Sequence, residues 1–424
     1  MVGHTASLGP VTGWHAGHTA ARLAPTCVAW AAAPKGVSVS ASDEAGAAEI
    51  RADSAAAPAS PEASLAFDGA TGPAVGLLSS ASRGYAGRER WPVPARGVAY
   101  GALDLGTNNC RLLIAEPAEP HFRVVDAFSR IVRLGEGLGA AGRLGEGAIE
   151  RAIEALKVCR AKMDLRGVSR ARLIATEACR AATNGEAFVA RVERETGLAL
   201  EVVDRKTEAF LAVSGCASLA DPGAHAALVF DIGGGSTEVA CLLGPRIGAA
   251  ADPCERIEDW VSLPVGVVTL AERYGGYDVT PAVYEDMVGE VMDLLAPFRA
   301  RVGWAARRRG FHLLGTSGTV TTIAGVHLRL PRYDRRRVDG LWMSDRQVDR
   351  VVWRLRQAGY PERAANACIG RDRADLVLAG CAILDGLRRS FPSPRLRIAD
   401  RGLREGILMA LMRADGVWRQ GRPS

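Results

Sequence analysis

Lysine is scarce in this chain. Only Lys35, Lys157, Lys162 and Lys206 stand among 53 cationic residues, so 49 are arginine. Arginine grips phosphate bidentately where lysine offers a point charge, which suits an anionic substrate. An overall bias toward Arg and Ala accounts for the same composition. No apolar run reaches the roughly 18 residues of a membrane-spanning helix. No C-x-x-C pair occurs, and no Cys/His cluster has zinc spacing. The nine cysteines are scattered and odd in number, which fits reduced thiols in a cytoplasmic protein better than a disulfide framework. No 20–50-residue repeat is present, which excludes a solenoid. The net charge of +6 is modest and does not by itself imply nucleic acid.

What remains is an ordinary globular composition, 48% apolar and 24% charged over 424 residues, enough for two to three domains. Residues 1–98 are rich in Ala, Gly, Ser and Pro, balance seven cations with seven anions, and read as a disordered extension. Within them Leu23–Pro34 (LAPTCVAWAAAP) faintly resembles a signal-peptide core, but the long leader without a basic start argues against export. Order begins near Val98. VAYGALDLGTNNCRLLIAEP reads as strand, turn, strand. Periodicity predicts a helix over Glu146–Met163. RLIATEA and LALEVVD read as strands. Thr183 and Glu186 form an apparent capping box for a helix closed by Gly197, and Lys206–Leu219 reads as helical. LVFDIGGGSTEVACLLG is a second strand–turn–strand. Thr280-Pro281 opens a further helix, FHLLG is a strand, and TSGTVTTIAGVHL turns into a helix. Ser344 and Gln347 make another capping box, and Arg373–Arg389 and Gly402–Arg413 close the helical pattern. The mixture predicts an α/β class.

The Asp-x-Gly hairpin recurs, as DLGTNN (Asp104–Asn109) and DIGGGSTE (Asp231–Glu238). Glycine lets the backbone approach a ligand closely, and successive free N–H groups make an anion-binding concavity. Thr107, Asn108, Ser236 and Thr237 can add hydrogen bonds. The flanking carboxylates would repel a phosphate unless a divalent cation such as Mg²⁺ sat between them. A third turn, GTSGT (Gly315–Thr319), lies between a strand and a helix, whose N-terminus favours anions. Three such turns point to a nucleotide or an oligophosphate.

The motifs ALDLGTNNCRLLIAE, ATEACR, TEAFLAVSG, VFDIGGGSTEVA, LPVGVVTLAERY, LLGTSGTVTTIA and DRGLREGIL occur in the order of the exopolyphosphatase/guanosine pentaphosphate phosphatase family (Ppx/GppA). The chain resembles that family over about residues 99–413. The resemblance implies the actin/Hsp70/sugar-kinase architecture, with two ribonuclease H-like domains around a cleft. Domain I would span 99–224 and domain II 225–395. Residues 396–424 would form a helix packing back on domain I, plus a short tail. It implies Mg²⁺-dependent hydrolysis of a terminal phosphoanhydride. Glu208 would be the general base. Asp231 and Glu238 would be metal-side carboxylates, with Asp104 supporting the same ion through water. Arg180 would grip phosphate, and Gly106, Thr107, Asn108, Gly233, Gly234, Gly235, Ser236, Thr237, Ser317, Gly318 and Thr319 would cradle it. Arg404, in GLREG, matches a motif position that serves structure or function. Relatives in the family often look dimeric, so a homodimer is the implied assembly. Neither nucleic acid nor membrane is an expected partner.

Two features depart from the pattern. The motif set ends without the extra helical domain of longer members, which leaves processivity on long polymers open. Thr207 stands where some relatives have a second acid. Inorganic polyphosphate is the favoured substrate, with guanosine pentaphosphate of the stringent response as the alternative. A sugar-kinase-like phosphotransferase lacks an evident Asp-base motif. A guanosine tetra- or pentaphosphate sensor is disfavoured by the retained Glu208, Asp231 and Glu238. The clusters ARRRG (306–310) and YDRRRV (333–338) read as solvated faces, or more sharply as a path for polyphosphate.

Overall fold

Strand β1 (Ala99–Leu105) is apolar along almost its whole length and is covered on both faces, as expected of a strand between two helical layers. Ala99, Leu103 and Leu105 face one apolar cluster, and Tyr100 and Ala102 face another. The computed structural model describes residues 97–417 except 120, 246, 248, 249 and 251. The readings of residues 1–96 as disordered, and of Leu23–Pro34 as export-like, lie outside it, as does the end of the C-terminal tail.

The first half builds β2 (Asn109–Ala118), β3 (His121–Ile131), α1 (Leu138–Ala141), α2 (Glu146–Leu165), β4 (Val168–Ala175), α3 (Glu177–Ala181), α4 (Gly185–Thr196), β5 (Glu201–Val202) and α5 (Arg205–Cys216). Its sheet runs β3-β2-β1-β4-β5. The second half builds β6 (Ala226–Ile232), β7 (Thr237–Leu243), β8 (Ile257–Leu263), α6 (Val267–Tyr274), α7 (Pro281–Val302), β9 (His312–Thr316), α8 (Ser317–His327), α9 (Arg335–Val338), β10 (Trp342–Ser344), α10 (Asp345–Gln357), α11 (Tyr360–Ala365), α12 (Val377–Ser390) and β11 (Arg395–Ile398). This sheet runs β10-β11-β9-β6-β7-β8. In each half an antiparallel hairpin pairs in parallel with a later strand: β1 with β4, and β6 with β9.

Helix α5 lies between the two halves. Leu211 packs in the cluster on the first sheet, while Val213 and Cys216 pack with Ala227 and Val229 of β6. The last helix, α13 (Leu403–Ala414), puts Leu403, Ile407, Leu408 and Met412 against Tyr100 and Ala102. It crosses α5 at van der Waals contact between backbones. A Cβ on Gly406 would stand 2.0 Å from the Leu211 carbonyl oxygen, and one on Gly215 would stand 1.9 Å from that of Gly402.

Thr280 caps α7 by accepting from the Val283 N–H, the Ser344–Gln347 capping box forms, and Gly197 ends α4 in the left-handed region. The Thr183–Glu186 box does not form. Asn184 occupies the N-cap, and Thr183 instead donates to the Gly142 carbonyl. LALEVVD contributes only two paired residues, and the helix expected from Arg373 starts at Val377. Strands β3 and β8 were not anticipated. Both mix charged with half-buried residues, so neither shows a clean apolar period.

Candidate active site

Three turns meet where the two sheets approach each other. Asp231 of β6 is in register with Thr316 of β9, which sets the Gly233–Ser236 turn beside the start of α8. The Gly106–Asn108 turn faces them from the first half. A Cβ on Gly234 would lie 2.9 Å from Thr107 Cβ and 3.1 Å from the Asn108 nitrogen, and one on Gly235 would lie 2.8 Å from Thr107 Oγ1. The glycines are thus required by the closeness of the opposite turn. Gly266 plays the same part on the outer side, with its Cβ position 2.4 Å from the Gly234 carbonyl. Val267 and Val268 donate to the Gly233 and Gly234 carbonyls at 3.0 and 2.8 Å, so the start of α6 holds this turn from behind.

Glu208 sits in the first turn of α5, whose N-cap Asp204 accepts from Thr207. Arg180, from the end of α3, donates to Glu208 Oε2 at 2.9 Å, to Glu177 Oε2 at 2.7 Å and to the Val203 carbonyl at 2.6 Å. Arg205 donates to Glu177 from the other side at 2.8 Å. Burial opposes ionisation of Glu177, but Arg205 and Arg180 outweigh it and hold that carboxyl below its ordinary range. Glu208 goes the other way. Burial, and then the charge of Glu238, push it well above the ordinary carboxyl value, with Arg180 opposing.

Asp231 and Glu238 form a cross-strand pair on β6 and β7. Burial pushes Asp231 up to about 6, against Arg111, while nearby Asp104 adds to the rise and a hydrogen bond from Ser317 lowers it. Burial and the Asp231 charge push Glu238 up to about 7, although the Ser262 hydroxyl donates to it at 2.8 Å. Asp104 is raised by burial, with Arg111 and Arg404 opposing. Ser317 opens α8 with φ 82°, a left-handed conformation unusual for serine.

Some expected phosphate contacts are already spent. The Gly106 and Gly233 N–H groups donate within their own turns, to Asn109 and Ser236. The Thr237 hydroxyl donates to the Val265 carbonyl at 2.7 Å, so it fastens the loop instead of facing a ligand. Thr319 packs its side chain against Gly380 of α12. Among the described residues no three His, Cys, Asp or Glu groups converge as a metal cage. Asp104, Asp231 and Glu238 therefore do not make a shared direct shell.

The sequence reading missed Arg111, Glu177, Ser262 and Arg373. Arg111 stands opposite Asp104 in the β1–β2 register, a relation the hairpin spacing already contained. Glu177 lies three residues before Arg180, within the quoted ATEACR. Arg111 and Arg373 line a cavity of about 340 Å³ with Ser317, Tyr333, Arg401 and Arg404. Arg404 is half-buried there, and its desolvation lowers its affinity for its proton. Of the arginine clusters, Arg335 is partly exposed but engaged: it donates to Glu405 Oε1 at 2.7 Å and to the Asp400 carbonyl at 2.6 Å. Arg308 stacks over Trp304 at 5.0 Å.

Residues 113–414 match the model of the Ppx/GppA phosphatase family. The chain belongs to the Ppx/GppA phosphatase family. It is 29% identical to Exopolyphosphatase 2 of Mycobacterium tuberculosis over 325 residues, which is 73% of this chain and 97% of that protein. A crystal structure of an exopolyphosphatase from Cytophaga hutchinsonii superposes with a TM-score of 0.66 at 26% identity, covering 76% of this chain and 99% of that one. The Aquifex aeolicus family member superposes at 0.61 with 28% identity, covering 75% and 99%. The fold is that of this family: α/β, built on two mixed sheets. The chain is accordingly a phosphatase-family enzyme. No helix among the described residues is long and apolar enough to cross a membrane.

Proposed function

We propose that this family member hydrolyses the terminal phosphoanhydride of inorganic polyphosphate and releases orthophosphate. The observation that carries the reading is Glu208: a half-buried carboxylate on a helix start, fixed by Arg180 and within electrostatic reach of Glu238 and Asp104, the carboxylates at the two hairpins. In the proposed reaction Glu208 orients a water and takes its proton. The hydroxyl oxygen forms a bond to the terminal phosphorus, and the bond from that phosphorus to the bridging oxygen breaks. The electron pair leaves with the shortened chain. A carboxyl whose pKa is raised by burial is a stronger base at neutral pH than an exposed one. Arg180 keeps it in one orientation, which matters because catalysis of this chemistry is mostly positioning and charge stabilisation. Arg111 and Arg373 are suited to holding the anionic leaving chain.

A divalent cation fits the site, because half-buried Asp231 and buried Glu238 are adjacent across the hairpin and both resist ionisation without one. These two residues would hold Mg²⁺, which takes one or two carboxylates with phosphate oxygens and waters. When bound it supplies Lewis-acid neutralisation of phosphoryl oxygens.

A second reading is hydrolysis of guanosine pentaphosphate, favoured by Tyr333 and Ile369 on the cavity wall, which offer apolar surface to a base. The test is phosphate release by the purified protein with Mg²⁺, offering long-chain polyphosphate and guanosine pentaphosphate in parallel. Glu208→Gln serves as control. Release that is lost in the variant supports a hydrolase, and the faster substrate names the branch. A folded protein that binds guanosine pentaphosphate without releasing phosphate would instead be a sensor.

A further inference from the structure

Arg133 touches both halves of the molecule. Its backbone is left-handed, with φ 47°, a strained state for a residue with a side chain. That geometry lets two successive N–H groups, Val132 at 2.9 Å and Arg133 at 3.0 Å, converge on the Asn108 carbonyl. Gly135 donates to the Thr107 carbonyl at 2.9 Å. Segment 132–135 therefore carries the Gly106–Asn108 turn. Arg151 of α2 steadies the segment from behind, donating to the Val132 carbonyl at 2.9 Å and pairing with Glu136.

The Arg133 guanidinium reaches into the second half. It pairs with Asp375 at 3.0 Å and donates to the Asp372 carbonyl at 3.0 Å. A second contact runs beside it, from the Gly137 backbone N–H to the Glu272 carboxylate oxygen Oε1 at 2.8 Å. The receiving segment is fixed to its own half by Arg363. That side chain is only 3% exposed and donates to the carbonyls of Ala358, Ala374, Gly276 and Tyr277. The same segment carries Arg373, which lines the cavity beside Ser317 and Gly318. A displacement of Asp375 is thus transmitted on one side to Arg373 and on the other to the Asn108 turn.

We propose that Arg133 and Asp375 are a positioning pair for the reaction described above. They clamp the Gly106–Asn108 turn of one half against the Gly233–Ser236 and Ser317–Gly318 turns of the other, and so set the width of the phosphate site. Neither side chain is assigned contact with the reacting atoms. The inference rests on the polyphosphate reading for its kinetic arm alone.

The experiment uses the full chain and Asp375→Asn, which leaves segment 132–135 untouched, together with Arg133→Lys and Arg133→Ala. Small-angle scattering of the substrate-free proteins reads the separation of the halves. Polyphosphate kinetics read KM and kcat separately. The expected result is a larger radius of gyration for Asp375→Asn and Arg133→Ala. Their kcat/KM should fall about tenfold, carried mainly by KM, with partial rescue in Arg133→Lys. Circular dichroism checks that each variant is folded. Unchanged scattering and kinetic constants within about twofold of wild type, in a folded Asp375→Asn protein, overturn the clamp. If the wild type releases no phosphate, the function reading fails, and scattering alone still decides the clamp.

Discussion

Asp231 and Glu238 face each other directly across the β6–β7 hairpin. Burial is the main reason that Asp231 rises to about 6 and Glu238 to about 7, with the charge of Asp104 adding to the first and that of Asp231 to the second. The relation has a linkage consequence. A carboxyl raised in the folded state stabilises the fold at low pH, where it keeps its proton, and loses that contribution as pH rises through its folded value. A cation held by the ionised pair, as proposed above, would reverse the loss. The thermal stabilisation by Mg²⁺ should therefore be small at pH 5 and grow through pH 6–7. Melting temperatures measured with Mg²⁺ and with a chelator across this range check it. A stabilisation that does not depend on pH would place the ion elsewhere.

Arg180 is the main charge opposing the raised pKa of Glu208. Arg180→Ala should therefore move the acid limb of the rate profile to higher pH and lower kcat about 10²-fold, the scale of a mispositioned general base. Arg180→Lys keeps a charge but not the three-way fork to Glu208, Glu177 and the Val203 carbonyl. It should keep the limb near its wild-type pH while still losing rate. pH profiles of phosphate release separate the two effects.

The crossing of α5 and α13 leaves no room for a methyl group. Gly406→Ala puts a Cβ within 2.0 Å of the Leu211 carbonyl oxygen, and the neighbour that must yield is helix backbone. The expected cost is about 1–3 kcal/mol. Activity should fall as well, because α5 carries Glu208. Urea titration and phosphate release on the same preparation check both. Normal activity in a destabilised variant would mean that α13 yields and α5 stays.

Away from the site, the Tyr284 hydroxyl donates to buried Asp385 at 2.8 Å, and Arg388 holds the other carboxylate oxygen at 2.8 Å. Tyr284→Phe removes one of two partners. It should cost about 1–2 kcal/mol with phosphate release within about twofold of wild type. A large activity loss would show that α7 and α12 transmit to the cavity.

The order of motifs already contained the α/β class, both Asp-x-Gly hairpins and the turn into α8, because strands ending in Asp and glycine, followed by apolar runs, are local signals. Caps at Thr280 and Ser344 were equally local. The Thr183 cap was misread because its hydroxyl goes to Gly142, forty-one residues away in sequence, and no local pattern records that competition. Strands β3 and β8 escaped notice because half-exposed strands carry charges that blur the period.

The sequence by itself determined which chemical groups this protein brings: two carboxylate-flanked glycine turns, a Glu at a helix start and an abundance of arginine. Tertiary structure decided which of them work together. Arg111 comes opposite Asp104 through strand register, Arg180 reaches Glu208 across twenty-eight residues, and Arg133 meets Asp375 across two hundred and forty-two. Thr237 and the Gly106 and Gly233 N–H groups are spent on holding the turns. The reason is physical. Residue type and spacing fix local conformation, but a charge acquires its partner and its pKa only when packing removes water and sets distance.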